Sequence, residues 1–171
     1  MRNQPRPIAI LIFVSILALC VSSARALDIG DTASDWTLTD GAGEKLNYYQ
    51  DSKGKVSVVL FWATWCPFCR TLMPHLQEAA NFYKDAPVRF YALNVWEEND
   101  PVKYMNERGY TFRLLLSAEP VAGKYGVKGT PGLFVIDQDH HMLYKRRPGT
   151  DDFEVELQVN EAIHGALREE K

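Results

Sequence analysis

Spare cysteine is what this chain of 171 residues most lacks: it has only Cys20, Cys66 and Cys69. So small a set excludes a framework of structural disulfides. Basic residues are short too, 19 against 22 acidic, and they form no patch that would argue for a nucleic-acid partner. There is a single C-x-x-C and no second one to complete a zinc site. The apolar run from Ile8 to Val21 is about 14 residues, short of the roughly 17 to 25 that a spanning helix needs. Internal repeats, low-complexity tracts and a second domain are absent. What remains is 46% hydrophobic and 24% charged, the balance of one globular domain able to bury a core.

The first 26 residues are a segment of another kind. Arg2 and Arg6 precede the apolar run, and Ala24-Arg25-Ala26 supplies small residues at an A-x-A-like cleavage site. This predicts a secretory signal over 1–26, with an uncleaved membrane anchor as the alternative, and export to a periplasm. Cys20 follows Leu17-Ala18-Leu19, without the small residue that usually precedes a lipidated cysteine. Removal of the segment leaves 16 basic residues against 22 acidic, a formal charge of -6, and two cysteines, both in one pair. The only disulfide then open to the chain is Cys66 with Cys69, expected in an exposed position where it can be attacked.

Everything else supports that pair. Val56 to Phe61 is a short, β-branched, apolar run, the pattern of a strand buried on both faces of a sheet. After it the period changes: Cys69, Leu72, Met73 and Leu76 recur at helical spacing. Cys66 therefore falls at a strand-to-helix junction, where free amides and the positive end of the helix dipole favour a thiolate. Pro67 sits at the first helical position, where proline is best tolerated. Cys66 reads as the nucleophile, and Cys69, one turn further in on the core side, as the resolving thiol.

Before the first central strand, Trp36–Thr39 and Lys45–Tyr48 flank Asp40-Gly41-Ala42-Gly43, a predicted hairpin. Strands are expected at Val88–Val95, Phe112–Leu116, Leu133–Asp137 and Met142–Lys145. Helices are expected from Asp100-Pro101 to Gly109, over Glu119–Tyr125, and from a cap near Thr150 or Asp151 to the end.

Phe61-Trp62-Ala63-Thr64-Trp65-Cys66-Pro67-Phe68-Cys69, with Pro74 and the run Tyr125-Gly126-Val127-Lys128-Gly129-Thr130-Pro131-Gly132-Leu133, resembles a thioredoxin-fold protein. Within that superfamily it is most similar to the exported TlpA/ResA-like disulfide reductases, over nearly all of 27–171. The resemblance implies an α/β fold, a central mixed sheet flanked by helices, here with an N-terminal β-hairpin extension. It implies a cis Thr130-Pro131 bond against the cysteines. Gly129, Thr130 and Pro131, with Trp65, Pro67 and Phe68, would bind an extended peptide beside the sulfur. It also implies protein thiol or disulfide substrates, with apocytochrome c and copper-site assembly proteins as partner classes. A membrane redox partner that conducts disulfide reductant would complete the cycle, and no cofactor is needed.

Two departures qualify this. The acid that thioredoxins carry in the strand before the motif is replaced by Leu60, and the glutamate that ResA-like proteins place three residues after the second cysteine is replaced by Leu72. Glu97 and Glu98 are the candidate proton-transfer groups for Cys69, with solvated loop acids as the plainer reading. Pro67, directly after the first cysteine, is the arrangement of oxidising members. Reductase is the favoured direction and thiol oxidase or isomerase the runner-up. Copper or zinc delivery by the cysteines with His75, His140, His141 or His164 is the reading from another class.

Overall fold

The computed structural model describes residues 27–169. The expected signal or anchor over 1–26 lies outside the described residues. Among the described residues no helix is long and apolar enough to cross a membrane.

The chain runs β1 (Thr37–Asp40), β2 (Lys45–Asn47), α1 (Tyr48–Asp51), β3 (Val56–Trp62), α2 (Pro67–Phe82), β4 (Val88–Asn94) and α3 (Pro101–Arg108). It continues with β5 (Arg113–Leu116), α4 (Glu119–Lys124), β6 (Gly132–Ile136), β7 (Met142–Lys145) and α5 (Asp152–Glu169). One seven-stranded sheet takes the order β2-β1-β5-β4-β3-β6-β7. β3, β4 and β5 run parallel through helical crossovers, while β6 and β7 and the β1–β2 hairpin are antiparallel. The hairpin is part of the sheet, since Thr39 and Asp40 pair with Leu116 and Leu115. α1 is a departure from the expected extended reading of Tyr48: the Asn47 side chain accepts the Gln50 N–H and starts a short helical turn there.

β3 is central and every residue of it is buried. Val56, Val58, Leu60 and Trp62 belong to the core under α2 and α5, while Val59 and Phe61 belong to the core under the hairpin and α4. Alternate residues of one strand thus serve two cores, as its unbroken apolar run required. α3 ends where Gly109 takes φ +67, a left-handed position that stops the helix without a Cβ penalty. Gly132, which opens β6, lies so close to Val127 that an added Cβ would meet both its methyls at 3.0 Å. Glycine at that position leaves room for the chain leaving α4 to pass close beside the Thr130-Pro131 turn.

Candidate active site

Cys66 caps α2 and Pro67 takes its first turn. The Cys69 N–H donates to Cys66 Sγ at 3.1 Å, so the first-turn amide is spent on the sulfur as a cap side chain would use it. The two cysteines are joined in a disulfide with Cα atoms 5.3 Å apart. The expected exposure of the pair is corrected: Cys66 and Cys69 are each 1% exposed and belong to the core cluster with Trp62, Ala63 and Leu72. A capping side chain turns back over the start of its helix, which here draws the sulfur into that cluster. Around this recessed point Trp65, Pro67 and Phe68 are exposed, Trp65 at 42% and Phe68 at 67%.

The Thr130-Pro131 bond is cis. Phe68, Thr130 and Pro131 line one cleft of about 420 Å³, whose other wall is Arg146, Pro148, Gly149, Thr150, Asp151 and Asp152. Gly129, Thr130 and Pro131 line an adjoining cleft of about 370 Å³ with Lys128, Lys145 and Arg146. The turn from β7 to α5 is a wall that sequence reading missed, because only the return of β7 beside β6 brings it there. Its polar signal, Arg146-Arg147-Pro148-Gly149, was visible in the chain but had no address.

Trp65 is held differently from Phe68. Its indole N–H donates to the Trp96 carbonyl at 2.7 Å. Trp96 has φ +49, costly for a residue with a large side chain, and Glu119 fixes it by accepting its N–H at 2.7 Å. That backbone turn sends Glu97 back toward the cysteine loop. Glu97 Oε2 accepts the Thr64 N–H at 2.9 Å and the Asn94 amide at 2.7 Å. Its Oε1 accepts the Thr64 hydroxyl at 2.6 Å and the N–H groups of Glu98 and Asn99 at 2.9 and 3.0 Å. Asn99 also donates to the Thr64 hydroxyl at 2.9 Å, and Arg70 to the Thr64 carbonyl at 3.1 Å.

Burial alone would raise the Glu97 carboxyl. The hydrogen bonds from the Thr64 hydroxyl, the Thr64 N–H, Asn94 and Asn99 outweigh it and bring the group from 4.5 down to about 2. A carboxylate so stabilised is a poor proton acceptor, and its contacts tie down Thr64, two residues before Cys66. Glu98 is exposed and its N–H serves Glu97. Thr64 and Asn94, 4% and 3% exposed, were not singled out from sequence. A threonine two residues before the cysteine and an asparagine ending a buried strand were the available signals. Leu60 and Leu72, at the two positions where acids were expected, are 2% and 0% exposed in the core under α2. His75 pairs with Glu156 of α5 at 2.7 Å. Among the described residues no group of three or more His, Cys, Asp or Glu side chains could hold a metal ion.

A strand, a disulfide-linked cysteine pair whose first member caps the next helix and a cis proline entering an antiparallel strand define a thioredoxin-fold protein. Family and relatives agree with that class: residues 29–145 match the AhpC/TSA family, and the chain belongs to it. The thiol-disulfide oxidoreductase ResA of Bacillus thuringiensis (strain Al Hakam) is 35% identical over 115 residues, 66% of this chain and 66% of that protein. The match thus spans just under two thirds of that relative's length. ResA of Geobacillus thermodenitrificans is 33% identical over 127 residues, 73% of this chain and 72% of the relative. A solution structure of a thiol:disulfide interchange protein from a Bacteroides species superposes with a TM-score of 0.70 at 26% identity, covering 83% of this chain and 94% of that one.

Proposed function

We propose that the protein is a thiol-disulfide oxidoreductase that reduces protein disulfides outside the cytoplasm. The observation that carries the reading is the Cys69 N–H directed onto Cys66 Sγ at the start of α2. It equips one sulfur to be a thiolate and places the second within bonding reach. In the reduced protein the Cys66 thiolate attacks a substrate disulfide, forming a mixed disulfide and expelling one substrate thiolate. Cys69, on giving up its proton, attacks Cys66 Sγ, releasing the second substrate thiolate and closing the Cys66–Cys69 disulfide. Two electrons pass to the substrate, and a membrane partner that conducts disulfide reductant would restore the dithiol. Apocytochrome c and copper-site assembly proteins are the substrate classes we favour, from the ResA resemblance. Run backwards, the same steps oxidise a dithiol, and Pro67 keeps that second reading in play.

Trapping tests the reading. Cys69→Ser should accumulate covalent partners that reductant releases, because the mixed disulfide on Cys66 then has no internal thiol to resolve it. Cys66→Ser should accumulate none. Adducts on the Cys66→Ser variant instead would reverse the two roles, and none on either would overturn exchange.

A further inference from the structure

The chain is acidic overall, with 22 acidic residues against 19 basic, yet the cleft of about 370 Å³ beside Pro131 is lined by Lys128, Lys145 and Arg146 and by no carboxylate. Lys145 is engaged, its ammonium donating to the Leu27 carbonyl at 2.7 Å and lying 3.5 Å from Asp28. Arg146 is not. Among the described residues its guanidinium makes no ion pair; one Nη donates to the Thr150 carbonyl at 3.2 Å, and its Nε is buried without a partner. Its backbone N–H is bound to the Leu133 carbonyl at 2.9 Å, which pins it beside the first residues of β6. The residue lines both clefts that flank Thr130 and Pro131. A partly buried guanidinium with unused donors is suited to a carboxylate, which it can take up as a fork.

We propose that Arg146, with exposed Lys128 beside it, anchors a carboxylate of the substrate chain, so that the preferred partner carries an acidic residue close to its reactive cysteine. The proposal rests on the thiol-disulfide reading above. Asp151 and Asp152 line the other cleft, on the Phe68 side. They repel an acidic side chain from that end and direct it toward Lys128, which sets the direction in which an extended segment lies. Phe68, two residues after Cys66, lines the same cleft as Arg146, so at about 3.3 Å per residue of extended chain the acid falls within a few positions of the cysteine.

The test uses single-cysteine peptides capped as mixed disulfides with a chromophoric thiol, with Glu or Gln placed in turn at each of the three positions on either side of the cysteine. Attack by the Cys66 thiolate links the peptide to the protein and expels the chromophoric thiolate, whose release gives the rate constant. In at least one position Glu should exceed Gln by about tenfold at low salt, and the gap should shrink as salt is added. Arg146→Gln should bring the ratio near one by slowing the Glu peptides more than the Gln peptides, whatever change both rates share. Arg146→Lys should keep part of the preference. Equal rates for Glu and Gln at every position, or a preference that survives Arg146→Gln, would overturn the proposal. Failure of every peptide to release chromophore would overturn the exchange reading itself.

Discussion

Glu97 should act on stability and on the cysteine loop together. Every group bonded to its carboxylate is a donor: two N–H groups and a hydroxyl from the loops it joins, a third N–H, and the Asn94 amide. Glu97→Gln keeps the shape but turns an NH2 toward donors, so at least one side of the network loses its acceptor. A carboxyl lowered from 4.5 to about 2 corresponds to at most about 3 kcal/mol. Glu97 is partly exposed, and solvent screening reduces this to roughly 1 to 2 kcal/mol.

The sign follows from proton binding. A depressed carboxyl stabilises the folded protein fully above its unfolded value of 4.5, and the contribution fades as pH falls toward about 2. Urea denaturation of wild type and Glu97→Gln at a series of pH values should therefore show a gap of roughly 1 to 2 kcal/mol near neutrality. That gap should narrow below about pH 4.5. Thr64 would lose its anchor in the same variant, so the rate of Cys66 alkylation should change as well. Wild-type stability at neutral pH, or a gap that stays constant down to about pH 3, would refute the network's role.

Two further outcomes can be measured directly. The Cys69 N–H and the helix terminus stabilise the reduced, thiolate form, so the potential should lie above the roughly -270 mV of thioredoxin; equilibration with glutathione gives it, and a value at or below that figure contradicts the account. His140 stacks on Tyr49 at 3.9 Å and meets the Ser52 hydroxyl at 3.0 Å; burial lowers its imidazole from 6.5 against the opposing pull of Asp137, Asp35 and Asp139. Its neutral form is the folded one, so stability should fall as pH drops below about 6.5, and His140→Gln should flatten that part of the denaturation profile. An unchanged slope would remove His140 from the account.

The order of elements was legible because each signal was local. An unbroken apolar run marked β3, a change of period marked α2, and Asp100-Pro101 and Gly109 bracketed α3. The disulfide-linked pair and its place were legible for the same reason, since C-x-x-C, junction and proline are contiguous. The parts that failed are non-local. Glu97 reads as a loop acid until Trp96, in a conformation no sequence pattern announced, turns it onto Thr64, 33 residues earlier. Arg146 reads as one cation of a charged turn until β7 returns beside β6 and carries it to Pro131. The burial of Cys66 was missed because its place at a helix start was read as exposure, whereas a capping sulfur folds back onto the turn it caps.

The same geometry divides the two sulfurs chemically. Cys66 has a donor at 3.1 Å and the helix terminus to stabilise its thiolate. Cys69 lies in the apolar core, and Leu60 and Leu72, where the family resemblance led acids to be expected, are buried there with it. A thiol among apolar side chains holds its proton, and Glu97, which is ionised and spends its oxygens on Thr64, Asn94 and the loop amides, is a poor base for removing it. Under the proposed exchange, attack by Cys66 would be the favoured step, while resolution by Cys69 would depend on a base brought by water or by the partner. In the exchange proposed above, such an arrangement would prolong the mixed disulfide, and contacts beside the sulfur, at Phe68, Pro131 and Arg146, would then have longest to discriminate between partners.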